Sequence, residues 1–385
     1  MLPIILSSLL SLPLLTTAIP HPNPQSPNCI PLTLSISLTA PSYPLLLPAI
    51  KNGYDATSLL LAFTGRDASS DPSALLGPPT NITVPLSISA LYCTPTTHYN
   101  PQKAPKLQLL THGLGFDKTY WNFGAPKTTY NYIAAATAAG YATFSYDRIG
   151  TGLSSVEDPY NVVQTPVELA LLTHFTEQLK AGTLSHLIPK PSKLVHVGHS
   201  FGSILSNALI ATRPELSDGV VLTGFSHNTT FEILFQISTG FHLASENQPA
   251  RFGKRSSGYL TWGDKYANQY SFLKYPNFEP AVLEDAEANK FPFTVGEFIT
   301  FGKVPYAAPE FKKPILMIDG DSDLIFCGAD CTGILDGPYS VSPQLFANAE
   351  PLAFYLQPDT GHGMNLHGNA TGWFAVVNDF LDKHV

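Results

Sequence analysis

The sequence predicts an α/β fold: a mostly parallel sheet flanked by helices, with antiparallel strands at its N-terminal end and a helical insertion late in the chain. Three observations predict it. From Lys106 onward, short apolar runs bounded by Gly, Asp or His alternate with helix-length segments, as βαβ units do. Ahead of them, residues 31–39, 57–64 and 82–92 alternate apolar with small polar residues, the period of antiparallel strands with one covered face. Residues 225–306 fall between two expected sheet strands and break the alternation, which marks an insertion.

In chain order, residues 1–18 (MLPIILSSLLSLPLLTTA) carry an apolar run from Ile4 to Leu15, then Thr16 and Ala18 at small-residue cleavage positions, the layout of a secretory signal. The run contains Pro13 and is shorter than the ~20 residues a membrane span needs, so secretion without stable membrane association is expected. Residues 19–28 form a Pro-rich arm. Three sequons, at Asn81, Asn228 and Asn369, fit a secretory route. Four cysteines, Cys29, Cys93, Cys327 and Cys331, allow three pairings. Cys327 and Cys331 are close enough for a local clip, which leaves Cys29 and Cys93 to staple the N-terminal segment to the domain. A C-x3-C spacing with two remote cysteines and no nearby His pair does not suit zinc, and no metal is expected.

The sheet strands are read at 107–111, 142–146, 194–198, 219–223, 315–319 and 352–356, each a continuous apolar run suited to a sheet covered on both faces. Helices are expected at 129–139, 167–181, 201–212, near 342–348 and at 372–384. The core is therefore 29–224 plus 307–385, with 225–306 inserted. That insertion holds 17 of the chain's 43 aromatic residues, enough to build its own core and to cover the C-terminal edge of the sheet, where ligands bind in such folds.

Only 13% of the residues are charged, about half the roughly 25% usual for soluble domains, and the net charge is −8. Such a surface has no basic footprint for nucleic acid or an anionic membrane. The chemistry-bearing motif is Val197-Gly198-His199-Ser200-Phe201-Gly202, G-x-S-x-G between an apolar strand and a helix. A turn this sharp strains the serine's backbone and leaves no room for Cβ atoms at its flanks, so glycines stand there. A serine hydroxyl needs a base, and the base needs an orienting acid. Downstream, Asp319-Gly320-Asp321-Ser322-Asp323 follows one strand and Gly361-His362-Gly363 follows the last, in the order Ser, Asp, His.

With these motifs in place, the chain from about Ile82 to its C terminus resembles the α/β-hydrolase superfamily, in the branch with a cap between the sixth and seventh strands. The resemblance implies that Asp323, the last residue of Gly320-Asp321-Ser322-Asp323, is the acid, and that Asp319 and Asp321 are loop-capping or solvated carboxylates. It implies an oxyanion loop at Thr111-His112-Gly113-Leu114-Gly115, with the N–H groups of Leu114 and Phe201 as donors and His112 as a brace. Asp147-Arg148-Ile149-Gly150-Thr151-Gly152-Leu153-Ser154 resembles an architectural turn of the family. Trp121 and His199 are expected near the substrate pocket.

The expected function is that of a secreted serine hydrolase acting on a carboxylic ester or lactone of an apolar small molecule, with Ser200 as nucleophile, His362 as base and no cofactor. The same triad also serves peptidases, thioesterases, C–C hydrolases and acyltransferases, and a binding module can keep the fold without turnover.

Overall fold

The computed structural model describes residues 27–66, 72–95, 104–124 and 129–385; the expected signal segment 1–18 and arm residues 19–26 lie outside the described residues. Period-2 patterning sets the first two strands, β1 (Asn28–Ser42) and β2 (Thr80–Thr94), which pair antiparallel along their whole length. Ile36, Leu38, Ala40, Val84, Leu86 and Ile88 face the core, while Ser35, Ser37 and Thr39 face out. Pro85 is tolerated within β2 because the strand beside it on the other face of the ladder pairs only with residues 90–93. Cys29 and Cys93 are direct ladder partners joined by a disulfide, and Cys327 bonds to Cys331, so both expected pairings are present.

Residues 57–64, expected as a strand, are instead the later part of helix α1 (Gly53–Thr64). The Asn52 side chain caps it by accepting from the Asp55 N–H. Ala56, Leu59, Leu60 and Phe63 recur at helical spacing on the face toward the core. Three consecutive leucines, 59–61, carry no period of two, and the cap decides the outcome.

The remaining sheet strands sit where the apolar runs predict. They are β3 (Lys106–Thr111), β4 (Ala142–Tyr146), β5 (Lys193–His199) and β6 (Gly219–Thr223), then, beyond the small strands β7 (His242–Leu243), β8 (Tyr259–Thr261) and β9 (Phe293–Thr294), β10 (Ile315–Gly320) and β11 (Leu352–Gln357). The eight-stranded sheet runs β1-β2-β4-β3-β5-β6-β10-β11, parallel from β4 to β11. Helices α2 (Tyr132–Ala138), α3 (Thr165–Ala181), α4 (Phe201–Thr212) and the C-terminal helix Ala370–His384 cover it. The helix expected near Ser342 is a single turn, Ser342–Leu345. Strand order reverses at β3: the chain goes to β4 on one side, then returns to β5 on the other. The C-terminal ends of β3 and β5 thus frame the crevice where open α/β sheets bind ligands.

Residues 225–306 are not purely helical. They contain α5 (Glu232–Thr239), helices at Lys265–Phe272 and Pro280–Asn289, and the antiparallel sheet β7-β8-β9. Their aromatics pack on one another: edge to face for Phe235 against Phe272 and Phe241 against Phe293 and Phe298, tilted for Phe235 against Phe293. Among the described residues, no helix is long and apolar enough to cross a membrane.

Candidate active site

Ser200 sits at the turn between β5 and α4 with φ 55° and ψ −119°, a left-handed conformation that a side chain adopts only under constraint. The constraint is visible. Its N–H donates to the Thr223 carbonyl at 2.9 Å, and its carbonyl accepts from the N–H groups of Ser203 and Ile204. Gly202 is required because a Cβ there would lie 2.0 Å from the Thr111 carbonyl oxygen at the end of β3. The motif's second glycine is thus what lets α4 start flush against the neighbouring strand.

His362 and Asp323 come from loops after β11 and β10, and both are fully buried. His362 Nδ1 donates to Asp323 Oδ2 at 2.5 Å, while Asp323 Oδ1 accepts from the N–H groups of Ile325 (2.6 Å) and Phe326 (3.0 Å). Burial opposes ionisation of Asp323, but the His362 ring, a hydrogen bond from Asp319 and the Phe326 N–H outweigh it and hold the carboxyl below its ordinary range. Asp319 shifts in the opposite sense: burial, then the charge of Asp323, push its carboxyl well above the ordinary range. The solvated alternative expected for Asp319 is corrected, because it lies at the buried end of β10 beside a second carboxylate, while its Oδ1 accepts from the Gly320 N–H at 2.8 Å as a loop cap would. Asp321 does cap its loop, accepting from the N–H groups of Asp359 and Thr360 and from the Ser322 hydroxyl.

The His362 ring lies between Phe272 and Phe326, with centroids 5.6 and 5.8 Å away, and its Nε2 has no hydrogen-bond partner. Both phenyl rings also line the cavity that contains Ser200. This cavity has a volume of about 630 Å³, within the usual range for small-molecule sites. Leu114 and Phe201 line it beside Ser200. Phe201 is the first residue of α4, so its N–H has no acceptor within the helix and is free to point at an anion.

The loop carrying Leu114 is fixed from behind. His112 Nδ1 donates to the Gly113 carbonyl at 2.9 Å, and its Nε2 accepts from the Arg148 N–H at 3.2 Å, as expected of a brace. Arg148 Nη2 reaches the same Gly113 carbonyl. The guanidinium is buried against Glu168 of α3 and Glu297, and stacks 4.6 Å from the Phe201 ring. In the turn that follows β4, the Asp147 carboxylate accepts from the N–H groups of Lys118 and Leu153 and pairs with Lys118 Nζ at 2.7 Å. That turn is architecture, as its pattern implies.

Neither Trp121 nor His199 lines the cavity. Trp121 is fully buried between Tyr120 and Tyr132. His199 turns away from Ser200 because alternate residues at the strand end point to opposite faces. Its ring stacks on Tyr120 at 4.4 Å, and its Nδ1 meets Thr223 Oγ1 at 3.2 Å. Burial, then the nearby His362 and His112 rings, hold it neutral. Glu232 and Gln236 of α5, which no motif marks, do line the cavity. Of the sequons, Asn81 is exposed, whereas the Asn369 amide donates to the Pro358 carbonyl at 2.6 Å.

A family model described as "Alpha/beta hydrolase family" matches residues 108–375. A comparison with curated proteins finds no match. Among solved structures, a thermophilic esterase from Thermogutta terrifontis is 15% identical with a TM-score of 0.51, covering 79% of this chain and 95% of that one. A bromoperoxidase from Bacillus anthracis is 18% identical with a TM-score of 0.54, covering 78% and 96%. An enol-lactonase from Burkholderia xenovorans LB400 is 17% identical with a TM-score of 0.50, covering 77% and 96%. The matched family segment runs from β3 into the last helix. With the strand order and the strained serine turn described above, the chain belongs to the alpha/beta hydrolase family.

Proposed function

We propose that the protein is a serine hydrolase that cleaves a carboxylic ester or lactone. The observation that carries this reading is Ser200, strained at the β5–α4 turn and facing a cavity whose wall rings also enclose the buried His362–Asp323 pair. In the reaction, Ser200 Oγ attacks the carbonyl carbon as His362 Nε2 takes the hydroxyl proton. The carbonyl oxygen gains negative charge and accepts from the Leu114 and Phe201 N–H groups. The carbon–oxygen bond to the leaving group then breaks, and His362 returns its proton to the departing oxygen. Water, deprotonated by His362, attacks the acyl-enzyme and releases the acid and free Ser200. In a lactone the leaving oxygen remains tethered to the acyl chain.

The open Nε2 of His362 fits a resting site, because catalytic hydrogen bonds often tighten only once substrate is bound. The low affinity of Asp323 for a proton fits the acid that orients the imidazole. Residues 225–306 act here as the cap that closes the cavity with Phe235, Phe272 and Phe298. The two disulfides fit an oxidising, extracellular setting, and Asn81 is the sequon best placed to carry a glycan.

A fluorophosphonate probe tests the reading. Intact mass of the purified protein should rise by one adduct, with the label on the peptide containing Ser200. A folded protein that takes no label, or takes it elsewhere, overturns the assignment.

A further inference from the structure

The cavity wall beside Ser200 is rich in aromatic rings, including Phe235, Phe272, Phe298, Phe301, Phe326 and Tyr306. Set into it is one carboxylate, Glu232. Among the described residues, that carboxylate makes no hydrogen bond or ion pair, and no Lys, Arg or His lines the cavity. One helical turn further along α5, Gln236 lines the same cavity, and its Oε1 is buried without a partner. Residues four apart on a helix share a face, and both side chains lie on the cavity face of α5. Burial pushes the Glu232 carboxyl up to about 7, and burial, then the Glu232 charge, raise the Tyr306 phenol. No lining side chain offsets that charge, which only the first-turn N–H groups of α5 face.

A buried acceptor without a donor is costly, and Gln236 Oε1 together with the half-buried, unpaired Glu232 carboxylate in one binding cavity describes the group that would satisfy both. An ammonium supplies positive charge for Glu232, further N–H donors for Gln236, and a cation for the faces of the surrounding rings. An apolar ester end would fill the rings but leave both oxygens unpaired. The net charge of −8 favours entry of cations over anions.

We propose that Glu232 and Gln236 form a cation-recognition end of the cavity, so that the substrates are esters or lactones bearing an ammonium group. This rests on the serine-hydrolase reading, and it sharpens the apolar substrate expected from sequence.

Two matched ester pairs test it, one for each side of the scissile bond. On the acyl side, para-nitrophenyl ε-aminocaproate is compared with para-nitrophenyl heptanoate. On the alcohol side, butyrylcholine is compared with the butyrate of the isosteric dimethylbutanol. In at least one pair, kcat/KM should favour the cationic ester by about tenfold or more, mainly through KM. Glu232→Gln should collapse that ratio toward one, and Gln236→Leu should lower it in part. Neutral esters matching or outrunning their cationic partners in both pairs overturns the proposal while leaving the hydrolase reading standing. So does Glu232→Gln losing stability with the ratio unchanged, the mark of a residue that serves only the start of α5. If no ester is cleaved, the hydrolase reading fails. The cation site is then judged by calorimetry of hexylammonium against hexanol on the Ser200→Ala protein, where equal or absent binding overturns it and binding of the amine alone upholds it.

Discussion

Replacing Asp323 by Asn separates the two carboxylates that the β10 loop brings together. The substitution keeps Oδ1, and with it the hydrogen bonds from the Ile325 and Phe326 N–H groups, so the loop keeps its shape. It places an NH2 group where Oδ2 now accepts from His362 Nδ1 at 2.5 Å. Nδ1 must then become the acceptor, the ring proton moves to Nε2, and the nitrogen that should receive the serine proton already carries one. Loss of the correct tautomer, and of the charge that stabilises the imidazolium, lowers kcat by about 10⁴, or ~5 kcal/mol of transition-state stabilisation. Asp319→Asn makes the contrast. The Asp319 carboxyl is pushed well up and hydrogen-bonds to Asp323, a donor role that an amide NH2 can fill, so its loss should stay within about tenfold. Initial rates with para-nitrophenyl butyrate, alongside near-ultraviolet circular dichroism to confirm packing, measure both variants. Asp319→Asn losing as much as Asp323→Asn, or Asp323→Asn retaining a tenth of the native rate, would refute the assignment of roles.

Glu232 also predicts a pH dependence. Its carboxyl is raised by burial from 4.5 to about 7, so between those values it stays neutral in the folded chain but ionises on unfolding. Stability should therefore fall by about 1–2 kcal/mol, discounted for the solvent that reaches it, as pH rises through this window, and no further above it. Melting curves across the window should show this slope in the native protein and its loss in Glu232→Gln. Glu297→Gln keeps the capping-box acceptor for the Thr294 N–H but removes a charge from the buried Arg148 cluster; urea unfolding should register a loss of about 3–5 kcal/mol. Removing the Cys29–Cys93 bond as a double serine variant releases a separation of 64 residues and should cost about 4 kcal/mol, against about 2 kcal/mol for Cys327–Cys331, read by the same unfolding curves.

The parallel strands could be read because a strand covered on both faces has to be apolar throughout, and few loops imitate that. Ser200, Asp323 and His362 were legible for a related reason: each lies in a short motif at the end of such a strand, so finding the strand places the residue. Residues 57–64 misled because their face toward the core is set by the Asn52 cap upstream and by tertiary packing, not by a local alternation. Trp121 and His199 are close in sequence to the site, yet both pack their rings on Tyr120 and stay out of the cavity, His199 lying 5.0 Å from the His362 ring behind the wall. Glu232 and Gln236 were invisible because a single acid on a short helix reads as a solvated residue until the opposing wall is known. The upward shift of the Asp319 carboxyl likewise depends on burial and on a second carboxylate that only the folded turn brings near.

The Arg148 cluster bears on how freely this molecule could be recombined with its relatives. Arg148 belongs to the turn after β4 and Glu168 to α3, whereas Glu297 belongs to the segment between β6 and β10. An exchange of residues 225–306 for the corresponding stretch of another hydrolase would remove Glu297 and leave the guanidinium, fully enclosed, with one acid in place of two. The same Arg148 holds the Gly113 carbonyl and stacks on Phe201, so the disturbance would reach both sides of Ser200. Grafting specificity into this scaffold therefore means carrying Glu297 across with any new segment, or replacing Arg148, Glu168 and Glu297 together by an apolar set.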